Sequence, residues 1–332
     1  MIRIKESLII AQDKDYYLSF PDIIQSIKQP NRYFIVYREG NAHHPTWSKL
    51  ILKRSEDYGR TWRNQQEFPL NIEDDGYVWN CPRLSYIGNI LYIICDAKSS
   101  TFERQCNFKT IFLTSTTEGK FFRSVDTPFP GMVPDKIIKF KDKFFCANHK
   151  IKSSKNDLIQ LISWSKDSKL WYDTNTVAND SEHQYCEASI VNMDNVYMTA
   201  YLRDNSGHKK YIYTAQSKDG INWSRPKKIP IFGQRVTAIK KNKNTVVGAY
   251  RNTDVLQVSD TTSHVKLSLF SHNLDTNKVE SHDIDWEYAR NQYHFGYTGL
   301  AETEKEYLVV YYIRQDKYHP YIKLVFINKK NI

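Results

Sequence analysis

The sequence is poor in the residues that break or tie a chain. Among 332 residues there are 12 glycines and 11 prolines, with no cluster of either and no block of like charge. That excludes an obvious linker or low-complexity tail and leaves a single domain over residues 1–332 as the expectation. The five cysteines (Cys81, Cys95, Cys106, Cys146 and Cys186) are odd in number and never spaced C-x-x-C, so neither a disulfide framework nor a zinc site is indicated. No apolar run is long enough to span a bilayer. The leading Met1-Ile2-Arg3-Ile4-Lys5-Glu6 lacks the apolar core of a secretory signal, and the expected location is the cytoplasm, or a place such as a virion reached without Sec export. Acidic residues are outnumbered, 37 Asp and Glu against 47 Lys and Arg, for a formal net charge of +10. The lysines are dispersed, with no basic helix or nucleic-acid motif, so nucleic acid is not the expected partner, whereas acidic glycans or anionic surfaces fit.

Aromatic residues are abundant: 23 Tyr, 16 Phe and 7 Trp can supply a large core. They recur in a pattern. Ser55-Glu56-Asp57-Tyr58-Gly59-Arg60-Thr61-Trp62 combines an Asp that can bind the N–H groups of its own turn, a Gly that can take a positive φ, and a Trp that can bury its ring. Looser copies begin at Ser165 and Ser217, and a degraded one at Ser115. Between these clasps, six apolar strands, opening near Asp22, Pro82, Pro134, Glu187, Arg235 and Thr298, are each followed by a second strand. The second strand has a cation 16 positions after the head: Arg38, Lys98, Lys150, Arg203, Arg251 and Arg314. Two inner strands, a third strand, a clasp and a fourth strand make a four-stranded blade, and a period of roughly 50 residues fits a β-propeller. The sixth unit stops short of its fourth strand, while Arg3–Ile10 has no unit of its own, so the N-terminal strand is expected to complete the last blade. The expected fold is all-β: a six-bladed propeller of four-stranded blades. Two unrelated β-sandwiches are the alternative, but they would not produce six registered units.

The Ser-x-Asp-x-Gly-x-Thr-Trp clasp in such a frame resembles the Asp-box, or BNR repeat, of the sialidase superfamily, over nearly the whole chain. The box sits on the blade rim, so it implies fold more than function. Strand heads converge on the axis, and there the resemblance names residues. Tyr185-Cys186-Glu187-Ala188-Ser189 followed by Tyr201-Leu202-Arg203 is similar to the sialidase strand pair carrying a Glu and a substrate-binding Arg. Tyr297 in Gly296-Tyr297-Thr298-Gly299 resembles the segment bearing the nucleophilic Tyr, and Arg235 stands where a second carboxylate-binding Arg would be.

The implied chemistry is coherent. A sialic acid carries a carboxylate on its anomeric carbon that would repel a carboxylate nucleophile. A neutral Tyr hydroxyl can attack once a Glu takes its proton, and arginines clamp the substrate carboxylate. The family's first-blade Arg-Ile-Pro head is Leu18-Ser19-Phe20-Pro21-Asp22 here, without an arginine. Either Arg38, Arg83 or Arg251 replaces it, or Asp22 and Asp135 act as acid and base on a neutral sugar. His44, beside His43, can bind a sugar hydroxyl or a proton, and Trp47, Trp79 and Tyr185 can stack on sugar faces. Each has a plainer alternative: Glu187 and Arg203 as a structural ion pair, Tyr297 as core, Asp22 and Asp135 as turn residues, the histidines as solvated. No metal or cofactor is called for. The expectation is an exo-glycosidase acting on a terminal sugar, acidic in one reading and neutral in the other; the rivals are a glycan-binding surface module without turnover and a protein-interaction scaffold.

Overall fold

The computed structural model describes residues 4–99, 108–127, 131–151, 158–206, 210–253, 257–259, 262–289, 296–314 and 319–332. Cys106 lies outside them; the other four cysteines are buried and free. Among the described residues no helix is long and apolar enough to cross a membrane.

The chain opens on β1 (Glu6–Ala11) and then builds antiparallel sheets in order. The first holds β2 (Tyr17–Gln25), β3 (Tyr33–Gly40), β4 (Trp47–Ser55) and β5 (Arg63–Asn71). The second holds β6 (Val78–Trp79), β7 (Arg83–Ile87), β8 (Ile90–Lys98), β9 (Phe108–Ser115) and β10 (Arg123–Thr127), with β6 and β7 both pairing to β8. The third holds β11 (Ile137–Phe140), β12 (Lys143–Ile151), β13 (Leu158–Ser165) and β14 (Tyr172–Ala178).

The fourth and fifth groups are fused. They are β15 (Tyr185–Met193), β16 (Tyr197–Asp204), β17 (Tyr211–Ser217), β18 (Lys227–Lys240), β19 (Thr245–Asn252), β20 (Gln257–Ser259), β21 (Thr262–Asn273) and β22 (Lys278–Ala289). The long β18 pairs with β17 up to Phe232 and with β19 from Gly233 onward, serving as last strand of one group and first of the next. A Cβ at Gly233 would lie 2.3 Å from the Tyr250 ring, so only glycine fits where the strand changes sheets. The last sheet holds β23 (Thr298–Glu302), β24 (Glu306–Ile313) and β25 (Tyr321–Asn328), and β1 pairs with β25, so the N-terminal strand completes the C-terminal sheet. The leading strands neighbour one another in the order β2, β7, β11, β15, β18 and β23, and β23 lies beside β2.

Alternation explains how these sheets pack. Tyr33, Ile35 and Tyr37 of β3 face Leu308, Val310 and Phe326 of the last sheet, while Phe34 and Val36 face Leu84, Leu91 and Ile93 of the second. Both faces of an inner strand are therefore buried, which is why the second strands read as continuous apolar runs instead of alternating with polar residues.

The four clasps fall where β4, β9, β13 and β17 end. In each the serine Oγ accepts a backbone N–H, from Gly59, Gly119, Ser168 and Gly220, at 2.8 to 3.0 Å. Asp57 accepts from the N–H groups of Arg60 and Thr61, and Asp219 from those of Ile221 and Asn222. Each clasp also reaches the preceding sheet. A Cβ at Gly59 would touch Leu308, one at Gly119 Phe34, and one at Gly220 Phe145, while Ser168 meets the Tyr92 hydroxyl at 3.2 Å. The turns therefore staple neighbouring sheets together as well as closing their own hairpins.

Candidate functional site

The heads of the leading strands carry an irregularity that aims side chains. β2, β15 and β18 are bulged at Ser19/Asp22, Cys186/Ser189 and Gln234/Val236. Phe20, Glu187 and Arg235 within these bulges have φ of 54°, 49° and 39°, as does Val133 at 50° before the third sheet. Non-glycine residues in this region are strained, at a cost of order 1–3 kcal/mol each. A bulge also turns a side chain out of strict alternation. Four of the eleven non-glycine residues with positive φ among the described residues thus lie at these strand heads.

Glu187 of β15, Arg203 of β16 and Tyr297, just before β23, meet there. The Tyr297 hydroxyl donates to Glu187 Oε1 at 2.8 Å, Arg203 Nη1 donates to Glu187 Oε2 at 2.7 Å, and the same Nη1 lies 3.1 Å from the Tyr297 hydroxyl. All three are partly exposed. Arg203 is steadied from behind by Asn205 at 2.9 Å. Burial alone would raise the Glu187 carboxyl, but Arg203 and Arg235 outweigh it and hold it at about 2. Burial, with the Glu187 charge adding, pushes the Tyr297 hydroxyl well above its ordinary value, so the phenol is protonated and the carboxylate is its acceptor.

Arg235 is almost wholly buried, its guanidinium 5.3 Å from the centre of the Tyr297 ring. The sequence makes it a second carboxylate-binding arginine; the structure sets its guanidinium against the face of the Tyr297 ring. Arg251 is buried at the end of β19 and donates to Gln234. Arg38 spends its guanidinium on the carbonyls of His43, Ala42 and Trp79 and lies 4.6 Å over the Phe20 ring, so it anchors the loop after β3.

Asp22 and Asp135 are both engaged in ion pairs with neighbouring sheets. Asp22 is fully buried, accepts from the Leu84 N–H and pairs with Lys136. Asp135 is buried between Arg83 and Arg235, and Arg83 itself is buried with them. Opposed charges from neighbouring sheets meet at these heads, so both carboxylates serve buried ion pairs, in contrast to the expected acid and base acting on a neutral sugar. Tyr185 is likewise buried, its ring stacked 5.2 Å from His183 and packed with Phe140 and Ala188. Trp79 donates to the Phe68 carbonyl inside the core, whereas Trp47 is half-buried against Tyr16. His44 packs edge-on against His43, whose Nδ1 meets the Tyr17 hydroxyl at 3.1 Å; burial, with Lys98 and Arg38 nearby, lowers His44 from its ordinary value.

The sixteen-residue spacing does not mark one structural position. Arg38 lies opposite Ser19 and Asp22 opposite Val36, whereas Arg203 lies opposite Cys186 and Ser189 opposite Tyr201. Phe20 is thus the counterpart of Glu187. Counting instead from the residue paired with each clasp serine, the equivalents of Arg38 and Arg203 are Asp96 and His149, in place of Lys98 and Lys150. Asp96 accepts two bonds from Asn80, at 3.1 and 3.0 Å. His149 is buried with Nδ1 unpartnered among the described residues, and burial, opposed by Glu187 and reinforced by Arg203 and Arg235, brings it to about 4. The signal for both was a polar residue ending an apolar run, as in Ile93-Ile94-Cys95-Asp96.

No protein-family model matches the sequence, and no curated protein matches it. Solved structures do. A protein of unknown function from Dyadobacter fermentans superposes with a TM-score of 0.79 at 17% identity, over 98% of this chain and 99% of that one. The phage phi92 endosialidase gives 0.73 at 11% identity, over 97% and 69%, and the Trypanosoma rangeli sialidase in complex with sialic acid gives 0.69 at 11%, over 98% and 57%. This chain thus spans little more than half of the Trypanosoma rangeli protein. At such identities the likeness is one of fold, and the chain has the all-β, four-stranded-sheet fold of the sialidase-like propellers.

Proposed function

We propose that the chain is a single six-bladed sialidase-like propeller that hydrolyses the glycosidic bond of a terminal acidic sugar at the Glu187–Arg203–Tyr297 cluster. The observation that carries this reading is the 2.8 Å hydrogen bond from the Tyr297 hydroxyl to Glu187, with a guanidinium bonded to both. A phenol whose proton already points at a carboxylate is an activated nucleophile. In the resting state Arg203 stabilises the Glu187 carboxylate and so weakens it as a base. An incoming ligand carboxylate would compete for that guanidinium and leave Glu187 more basic when the substrate is in place. Tyr297 Oη then bonds to the anomeric carbon as its proton passes to Glu187 and the glycosidic C–O bond breaks, the leaving oxygen departing as an aryl oxide or taking its proton from water. The glycosyl-tyrosine is later opened by water, giving net retention. Arg235, beneath the ring, favours negative charge on the phenol oxygen as it develops.

An aryl sialoside tests this directly, because an aryl oxide leaves with little help from an acid. Wild type should release the aryl group, and Glu187→Gln should lower kcat by about 10²- to 10⁴-fold while remaining folded by circular dichroism. Undiminished hydrolysis by that variant would sink the assignment. A second reading, glycan binding without turnover, is favoured by one observation: Ser19 and Phe20 occupy the first-sheet head, and the Phe20 ring packs 5.0 Å from Tyr297. Sialoside binding without aryl release in wild type would select it.

A further inference from the structure

Leading away from Arg235 is a series of charges, buried except for the half-buried Lys136, that no step above requires. Lys136 Nζ is 3.0 Å from Asp22 Oδ1, and Arg83 Nη1 is 3.9 Å from the same oxygen. Arg83 Nε and Arg235 Nη2 each lie 3.5 Å from Asp135 Oδ1. The series alternates in sign across four sheets and ends under the Tyr297 ring. Ions buried in this way cost several kcal/mol each, and well-packed apolar side chains would serve a scaffold as well or better. None of the three side-chain nitrogens of Arg83 has a hydrogen-bond partner among the described residues, so Arg83 is held by the charges of Asp22 and Asp135. Arg235 Nη1 is also unpartnered among those residues. The other carboxylate acting on Arg235 is Glu187.

We propose that Asp135 is a positioning residue: by sharing its charge between Arg83 and Arg235 it keeps Arg235 under the Tyr297 ring and away from Glu187. With Asp135 gone, Arg83 repels Arg235 and Glu187 attracts it. Arg235, which already acts on Glu187 from a distance, comes into contact with the base, and the phenol loses the cation against its ring. Recognition of the ligand carboxylate by the partly exposed Arg203 is untouched, so the loss falls on the chemical step.

The inference rests on Tyr297 as nucleophile and Glu187 as base, and the test separates the two. With the aryl sialoside, Asp135→Asn should lower kcat about 10- to 100-fold with KM within about threefold of wild type, and Asp135→Glu should recover part of kcat. Because Asp135→Asn removes the carboxylate between two buried arginines, it is also combined with Arg83→Met. The double variant should regain thermal stability without regaining kcat. Recovery of kcat along with stability, or a rise in KM alone, would overturn the proposal. Crystal structures of wild type and the double variant give a readout that needs no activity. Arg235 turned toward Glu187 in the variant supports the proposal, and Arg235 unmoved beneath Tyr297 overturns it, even if wild type fails to cleave the sialoside and the hydrolase reading falls.

Discussion

At the scale of single residues, the site is defined by which charges are left partly exposed and which are enclosed. Glu187, Arg203 and Tyr297 are partly exposed, whereas Asp22, Arg83, Asp135 and Arg235 are nearly wholly buried. The sequence named all seven as site residues but could not rank them, because spacing along a strand does not say which residue a bulge turns outward. His149 escaped notice for a related reason: the sixteen-residue count falls on Lys150, one residue toward the chain end, and the true position carries a neutral imidazole with no motif around it.

His149 carries a pH signature of its own. Its ordinary value of 6.5 falls to about 4 in the fold, so the unfolded chain takes up a proton in this interval that the folded chain refuses. The stability it contributes is complete above pH 6.5 and is lost as pH falls toward 4, by up to about 3 kcal/mol. Glu187 acts lower, between its ordinary 4.5 and about 2. Melting temperatures between pH 7 and 4 should therefore fall less steeply for His149→Asn than for wild type. Parallel curves would show that the imidazole is not held neutral by its surroundings.

At the scale of elements, the clasps were the most legible feature of the sequence, and they proved to do more than the sequence showed. Ser, Asp and Gly at fixed offsets announce the turn, since each residue type has one local task there. The second task, contact with the preceding sheet, depends on which residue lies beneath, and nothing in the clasp encodes that. Gly220 has φ of 78° and no room for a Cβ, which would lie 2.3 Å from the Phe145 ring. Gly88 has φ of 54° but nothing within 4 Å. Gly88→Ala should cost only about 1–2 kcal/mol for the backbone, whereas Gly220→Ala adds about 1–3 kcal/mol of overpacking. Denaturant titrations of the two variants measure the difference, and equal losses would mean that the clasp does not bear on its neighbour. The strand heads were less legible. The hairpins joining first to second strands differ in length, from the seven residues 26–32 to the two residues 88–89 or 141–142, so a constant sixteen-residue spacing drifted by up to two positions.

At the scale of the whole molecule, the order of strands was readable from the repeat, including the donation of β1 to the last sheet. The fusion of two sheets through β18 was not, because a strand that continues without a turn has no punctuation to mark it. The clasp of the first sheet meets the sheet completed by β1: Arg60 binds Glu6 at 2.5 Å and Glu306 at 2.6 Å, and its guanidinium lies 3.7 Å from the Phe326 ring centre. Glu187 and Tyr297 are 110 positions apart in sequence and in different sheets, so their hydrogen bond depends on the whole arrangement. The central claim is that this hydrogen bond readies Tyr297 to form a covalent bond to an acidic sugar. The most direct measurement is peptide mapping by mass spectrometry of protein acid-quenched during turnover of an aryl sialoside. A sialosyl adduct on Tyr297, absent in Tyr297→Phe, is predicted; aryl release with the adduct on another residue, or continued aryl release by Tyr297→Phe, would contradict it.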